Sequence, residues 1–181
     1  MLASRSPRRR AILDALGVEC AVVEPDVEEI RDGRPEEIVL ENARRKARAG
    51  LAGEDSGAVV LGADTEVVLD GAALGQPADA NRARASLEAL SGRTHDVLTG
   101  VVLASHADER SGVARSHVTF RELDSATLDL YLNSGEWRGR AGAYAIQGLG
   151  SILIERLEGD FSNVVGLPVP LLIELAPEIL Q

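Results

Sequence analysis

A chain of 181 residues, 45 % apolar and 27 % charged, has the size and composition of one ordinary domain with a real core. Aromatics make up only 3 %, so that core has to come from Leu, Val, Ile and Ala, and the single cysteine, Cys20, excludes a disulfide framework and fits a reducing cytosol. A formal charge of -10 argues against general nucleic-acid binding, no apolar run reaches the roughly 18 residues of a membrane span, and Asp14 and Glu19 follow the basic start too soon for a signal peptide; the expectation is a cytoplasmic protein with neither nucleic acid nor membrane as partner.

"MLAS" predicts a short strand, and Ser6 before Pro7 reads as an N-cap followed by the residue best suited to a first helical turn. Ile12, Leu13 and Leu16 give that helix an apolar stripe, and Gly17 ends it. "CAVVEP" predicts a second strand, followed by an acidic segment that includes Glu28 and Glu29. Pro35 opens a helix that starts with Glu36 and Glu37 and ends with Arg44, Arg45, Lys46 and Arg48, as the helix dipole favours. "AVVLGADTEVVLDGAAL" predicts strand, interruption, strand and an Asp70-Gly71 hairpin turn. "ADANRARASLEALSG" reads as a helix, and "THDVLTGVVLAS" and "GVARSHVTFREL" as strands that pair across residues 105–111. A helix N-capped by Asp124 or Ser125 follows, then a glycine-rich irregular stretch, the strand "SILIERLEG" and a terminal helical segment in "GLPVPLLIELAPEIL". Interleaved strands and helices with hairpins predict one mixed α/β domain over residues 1–181.

Four stretches could carry chemistry. In "ASRSPRRR" a strand turning into a helix presents free N–H groups, and Ser4, Ser6, Arg8 and Arg9 add donors suited to phosphate; the alternative is a solvated basic start. Asp64 interrupts a run that is apolar from Ala58 to Leu69, apart from Gly62 and the neighbouring Thr65 and Glu66. A buried carboxylate there needs a partner or a hydrated cleft, which points to a metal-bound or water-activating role, unless Asp64 and Thr65 simply form a turn. Lys46 shares a helical face with Val39 and Ala43 and, taken alone, reads as snorkelling outward. "SGEWRGRAGAYAIQG" offers flexible backbone, Trp137 and the Gln147 amide, or else is a surface loop packed on its own tryptophan. His95, His106 and His117 show no metal-ligand spacing, and there is no P-loop and no dinucleotide fingerprint.

Taken in order, "LASRSPRRR", "VEEIRDG", "ENARRKA", "VLGADTEVVLDG", "LGQP", "SGRTHDVLTGV", "SGEWRGRAGAYAIQG" and "GDFSNVVGLPV" resemble the Maf family of nucleoside triphosphate pyrophosphatases over residues 2 to about 170. The resemblance implies a mixed α/β fold related to the inosine-triphosphate pyrophosphatases, with two lobes around a deep cleft. It implies cleavage between the α and β phosphates with a divalent metal, Mg²⁺ or Mn²⁺. By the same resemblance Asp64 is the base for the attacking water and shares the metal with Glu29. Ser4, Ser6, Arg8, Arg9 and Lys46 bind the substrate, which reverses the solitary reading of Lys46. Arg8, Thr65 and Gln147 stand at positions linked to base choice, in the combination of the dTTP/UTP branch.

Two positions depart from the family pattern. Gln76 stands where many members carry a lysine, which removes one phosphate-facing charge, and Arg140 stands where lysine is common. The resemblance thus predicts a house-cleaning hydrolase for dTTP, UTP or modified pyrimidine analogues; the sequence leaves the oligomeric state open, a homodimer included. A non-catalytic nucleotide-binding regulator of septum formation is the alternative.

Overall fold

The computed structural model describes residues 1–55 and 57–180. Its strands β1 (Leu2–Ala3), β2 (Val22–Val23), β3 (Val60–Leu69), β4 (Ala72–Ala73), β5 (Thr94–Ala104), β6 (Glu109–Phe120) and β7 (Ile154–Glu158) form one sheet. The order is β2-β1-β3-β5-β6-β7, with β4 paired to β3. β1 runs parallel to β2 and β3, whereas β3, β5, β6 and β7 are joined antiparallel. The helices are α1 (Pro7–Ala15), α2 (Pro35–Leu51), α3 (Ala80–Leu90), α4 (Ser125–Ser134), α5 (Phe161–Val165) and α6 (Val169–Leu175). This is the mixed α/β fold expected from the sequence. Among the described residues no helix is long and apolar enough to cross a membrane.

Both faces of the sheet are covered, as strand alternation requires. On one face α2 buries Ala43, Ala47 and Leu51 against Ala3, Val60, Val102 and Ala104. On the other, Leu13 of α1 and Leu172 of α6 meet Leu2, Leu61, Ala63, Val101 and Leu103. A third cluster joins Leu87 and Leu90 of α3 and Leu128 and Tyr131 of α4 to Val67, Val97, Val118, Phe120 and Tyr144.

Two glycines set how closely α2 approaches. A Cβ on Gly62 would lie 2.2 Å from the Ala43 carbonyl oxygen, and one on Gly100 would lie 2.4 Å from that of Val39. Asp64 pairs with Gly100 across β3 and β5. The helix therefore crosses beside Asp64 at backbone contact, which brings the next turn of its side chains over that carboxylate.

One expectation is corrected. β3 runs unbroken through Asp64 and Thr65, which stand in register with Gly100 and Thr99. No turn intervenes, because the buried carboxylate finds its partners on α2. Asp70 and Gly71 do form the hairpin turn, with φ of 52° and 80°, the doubly left-handed backbone of a type I′ connection. Asp124 is the cap of α4, accepting from the Thr127 N–H. The terminal helical segment breaks after Leu175, and a short 3₁₀ turn, Pro177–Leu180, follows. Helix α5, not anticipated from sequence, is capped by Asp160, which accepts from the Ser162 and Asn163 N–H groups.

A Gly62→Ala substitution is expected to destabilise the protein by about 2–3 kcal/mol, lowering Tm by roughly 5–10 °C. Calorimetry against Gly57→Ala, where an added Cβ meets nothing within 4 Å, checks this; the control is expected to leave Tm unchanged or slightly raised.

Candidate active site

A cleft of about 1380 Å³ opens beside Ala3 at the end of β1 and Asp64 and Thr65 of β3. Its walls come from the start of α1 (Ser4, Ser6, Arg8, Arg9), the acidic segment (Glu28, Glu29), α2 (Arg45, Lys46), β3 (Asp64, Thr65) and the glycine-rich loop (Arg138, Arg140, Tyr144). Gln76 also lines it. Every binding or catalytic candidate except Gln147 thus faces one cavity. Gln147 is exposed at the head of a 3₁₀ turn, Gly148–Leu153, outside that lining.

At the floor lies a cation between two carboxylates. The Lys46 Nζ stands 2.6 Å from Asp64 Oδ1 and 2.6 Å from Glu29 Oε1. The Lys46 side chain is only 14 % exposed, so it turns inward and does not snorkel. Asp64 Oδ2 accepts from Asn42 Nδ2 at 3.2 Å. Two donors from one helix satisfy this buried carboxylate without any turn in the strand.

Arg9 is 8 % exposed. Its Nε donates to the Gly166 carbonyl (2.7 Å), one terminal nitrogen to Ser4 Oγ (3.1 Å) and the other to Thr65 Oγ1 (3.0 Å). Burial pulls its pKa down, and the nearby charges of Asp64 and Glu29 oppose that pull. A guanidinium carries five N–H groups. Three are committed here, which leaves one on each terminal nitrogen for a bound anion. Thr65 is equally engaged: its Oγ1 also meets Thr99 Oγ1 at 3.0 Å, and Thr99 donates to the Asn163 carbonyl. Ser4 Oγ accepts from both Arg9 and the Ser6 N–H and keeps its own hydrogen to give. Ser6 makes no side-chain cap on α1.

The opposite wall is held by a buried aromatic group. His95 Nε2 shares a 2.8 Å hydrogen bond with Tyr144 Oη, and His95, Phe120 and Tyr144 pack edge to face. Tyr144 is fixed in turn because its segment is anchored by the Ala145 N–H donating to Tyr131 Oη. Glu136 accepts from the Leu149 and Gly150 N–H groups, which shapes the turn after Gln147. Arg138 lies over the Trp137 ring at 4.8 Å, so Trp137 is a packing anchor that also orients a cleft arginine.

Sequence reasoning missed Asn42, Tyr144, Glu66 and the Asn163–Gly166 segment. Asn42 and Tyr144 sit in stretches already singled out and are polar residues at core positions, a signal that could have exposed them. Glu66 follows Asp64 by two positions and so shares its face of β3. Burial, and then the charge of Asp64, push its carboxyl up to about 7. The tie from Gly166 to Arg9 spans 157 residues of chain and has no local signature.

A mixed sheet with a cationic helix start, and a lysine shared by two carboxylates in one deep cleft, defines a protein built to hold a polyanion beside an acidic centre. The sequence profile of the Maf-like protein family matches residues 1–179, and the chain belongs to that family. It is 47 % identical to a protein of Deinococcus radiodurans named dTTP/UTP pyrophosphatase, over 97 % of this chain and 90 % of the relative. Proteins of the same name in Pyrococcus horikoshii (43 % identical, 97 % and 94 % covered) and Myxococcus xanthus (47 % identical, 93 % and 86 % covered) are similarly close. These relatives carry an enzyme's name, and the reading as a non-catalytic regulator is not favoured.

Burial holds His95 down at about 4, against about 6.5 when unfolded. The unfolded chain then takes up a proton below pH 6.5 that the folded chain refuses until about pH 4. Stability due to neutral His95 is present above pH 6.5 and is lost as pH falls to 4, by about 3 kcal/mol. Glu66 acts in the opposite sense, adding stability as pH falls below 7, so each needs its own variant. Urea unfolding at pH 7 and pH 4.5 is expected to show a smaller acid loss in His95→Gln than in the parent; equal losses would contradict a buried, neutral His95.

Proposed function

We propose that the protein hydrolyses dTTP and UTP, or modified pyrimidine analogues of them, to the nucleoside monophosphate and pyrophosphate. The observation that carries this reading is the Lys46 ammonium shared by Asp64 and Glu29 at the floor of a cleft whose rim is arginine-rich. It is supported by the name that the relatives share.

The residues divide the work by charge. Asp64, 8 % exposed, accepts the proton of a water placed to attack the α-phosphorus, in line with the departing pyrophosphate. Lys46 uses two of its three N–H groups on carboxylates and has a third for a phosphate oxygen. The two remaining N–H groups of Arg9, the Ser4 hydroxyl and the free N–H groups at the start of α1 take further phosphate oxygens. With Gln76 in place of the family lysine, Arg138 and Arg140 are the cations left to that side of the cleft.

Two carboxylates that already share one cation fit a divalent metal as well. Among the described residues no third acidic, histidine or cysteine side chain completes a metal cage. That suits Mg²⁺ or Mn²⁺, which are commonly held by one or two carboxylates together with substrate phosphates. Glu29 and Asp64 would hold it, and it would supply charge neutralisation on the polyphosphate and a more acidic bound water.

Base choice rests with Arg8 and Thr65 inside the cleft and Gln147 outside its lining. A glutamine amide held with its NH₂ toward O4 and its oxygen toward N3–H pairs with uracil or thymine and mismatches cytosine, whereas the same amide turned over would pair with cytosine. Because Thr65 Oγ1 is spent on Arg9 and Thr99, its part is to fix Arg9, and the Gln147 amide reads the base only where the bound nucleotide extends past the cleft lining to it.

Purified protein is expected to release pyrophosphate from UTP and dTTP in preference to CTP, ATP and GTP when Mg²⁺ is present. Asp64→Asn is expected to lower kcat roughly a hundredfold to ten-thousandfold with nucleotide binding retained. Gln147→Ala is expected to narrow the UTP-to-CTP ratio of kcat/KM while sparing turnover of UTP. Purine triphosphates turned over in preference would overturn the base assignment, and full activity in Asp64→Asn would overturn the mechanism.

A further inference from the structure

We propose that Asn42 is a positioning residue for the two-carboxylate centre, fixing where Glu29 stands relative to Asp64. This rests on the reading of Glu29 and Asp64 as that centre. Asn42 is 2 % exposed on the face of α2 that lies over β3. Its Oδ1 accepts from the Ile30 N–H at 2.8 Å, and its Nδ2 donates to the Ile30 carbonyl at 3.0 Å and to Asp64 Oδ2 at 3.2 Å. One short side chain therefore grips both backbone groups of the residue after Glu29 and also touches Asp64.

The orientation of the amide is not arbitrary. Turned over, it would set its NH₂ against the Ile30 N–H and its oxygen against two other acceptors, so only one arrangement satisfies all partners. No other residue type serves. Aspartate lacks the two donors, glutamine is one methylene too long, and serine cannot span both Ile30 groups.

The need for such a grip follows from the fold. Residues 24–34 contain neither strand nor helix, so no regular backbone ladder fixes the segment that carries Glu29. Two further ties come from the same helix: Arg45 donates to the Glu28 carbonyl, and Lys46 reaches Glu29. Both are long, adaptable side chains, and Arg45 is substantially exposed. Asn42, with two buried torsions and three satisfied bonds, is the stiff member of the set. Outer-shell partners of metal-holding carboxylates commonly affect metal affinity by 10- to 100-fold.

The test uses the nucleotide-free protein, Mn²⁺ binding by calorimetry and amide hydrogen exchange, on Asn42→Ala, Glu29→Gln and the double variant. Asn42→Ala is expected to weaken Mn²⁺ binding about tenfold or more and to speed exchange at the Ile30 amide at least roughly tenfold, with protection in α2 and β3 unchanged. In the Glu29→Gln background the same substitution is expected to cost little more, since no carboxylate remains to be positioned. An equal loss in both backgrounds, or unaltered Ile30 exchange, would overturn the proposal and leave Asn42 as packing. Unchanged Mn²⁺ affinity in Glu29→Gln would instead overturn the reading of the centre, and the proposal with it. Should Asn42→Ala not fold, Ile30→Pro removes the same N–H from the loop side; it is expected to weaken Mn²⁺ binding, and unchanged binding counts against the proposal.

Discussion

Helix α2 can lie on β3 and β5 at backbone distance because both strands carry glycine beneath it. With a Cβ 2.2 Å from the Ala43 carbonyl at Gly62, or 2.4 Å from that of Val39 at Gly100, the helix would have to lift. Lifting it by even an ångström would take the short side chain of Asn42, already at 3.2 Å, out of hydrogen-bond range of Asp64. The contact also explains the small residues Ala43 and Ala47 along that face of the helix. Packing and chemistry are therefore one constraint: the same turn of α2 that buries alanines against the sheet delivers an ammonium and an amide to the carboxylate.

The second dependence is electrostatic. An acidic protein that handles a polyanion has to concentrate its cations, and Arg9 shows how. It is buried and held at three points, and the nearby charges of Asp64 and Glu29 oppose the downward pull of burial on its pKa. The carboxylates in turn are held by Lys46. Cations and anions thus lie against each other in one cleft, and both sets retain hydrogen-bonding capacity for a ligand.

Much of the fold was legible locally. Pro7, Pro35 and Asp124 mark helix starts with the right chemistry, and Asp70-Gly71 marks a hairpin whose backbone needs two left-handed residues. The break predicted at Asp64 failed because a lone charge in an apolar run looks like an interruption until its partners, 18 and 22 residues away, are known. Lys46 failed alone for the same reason: periodicity gives a face, not what the face meets. Helix α5 is too short for periodicity to show. The tie from Gly166 to Arg9 joins opposite ends of the chain. Gln147 is offered by its amide in a glycine-rich stretch and tied to base choice by family resemblance, and its exposed position separates it from the residues that do line the cleft.

The decisive question is which phosphorus water attacks, since Asp64 has been given the role of activating that water. Turnover of UTP in ¹⁸O-labelled water, with mass analysis of both products, answers it directly. Label in the uridine monophosphate and none in the pyrophosphate is the predicted result. Label in the pyrophosphate, or release of inorganic phosphate in its place, would contradict the mechanism built on this cleft.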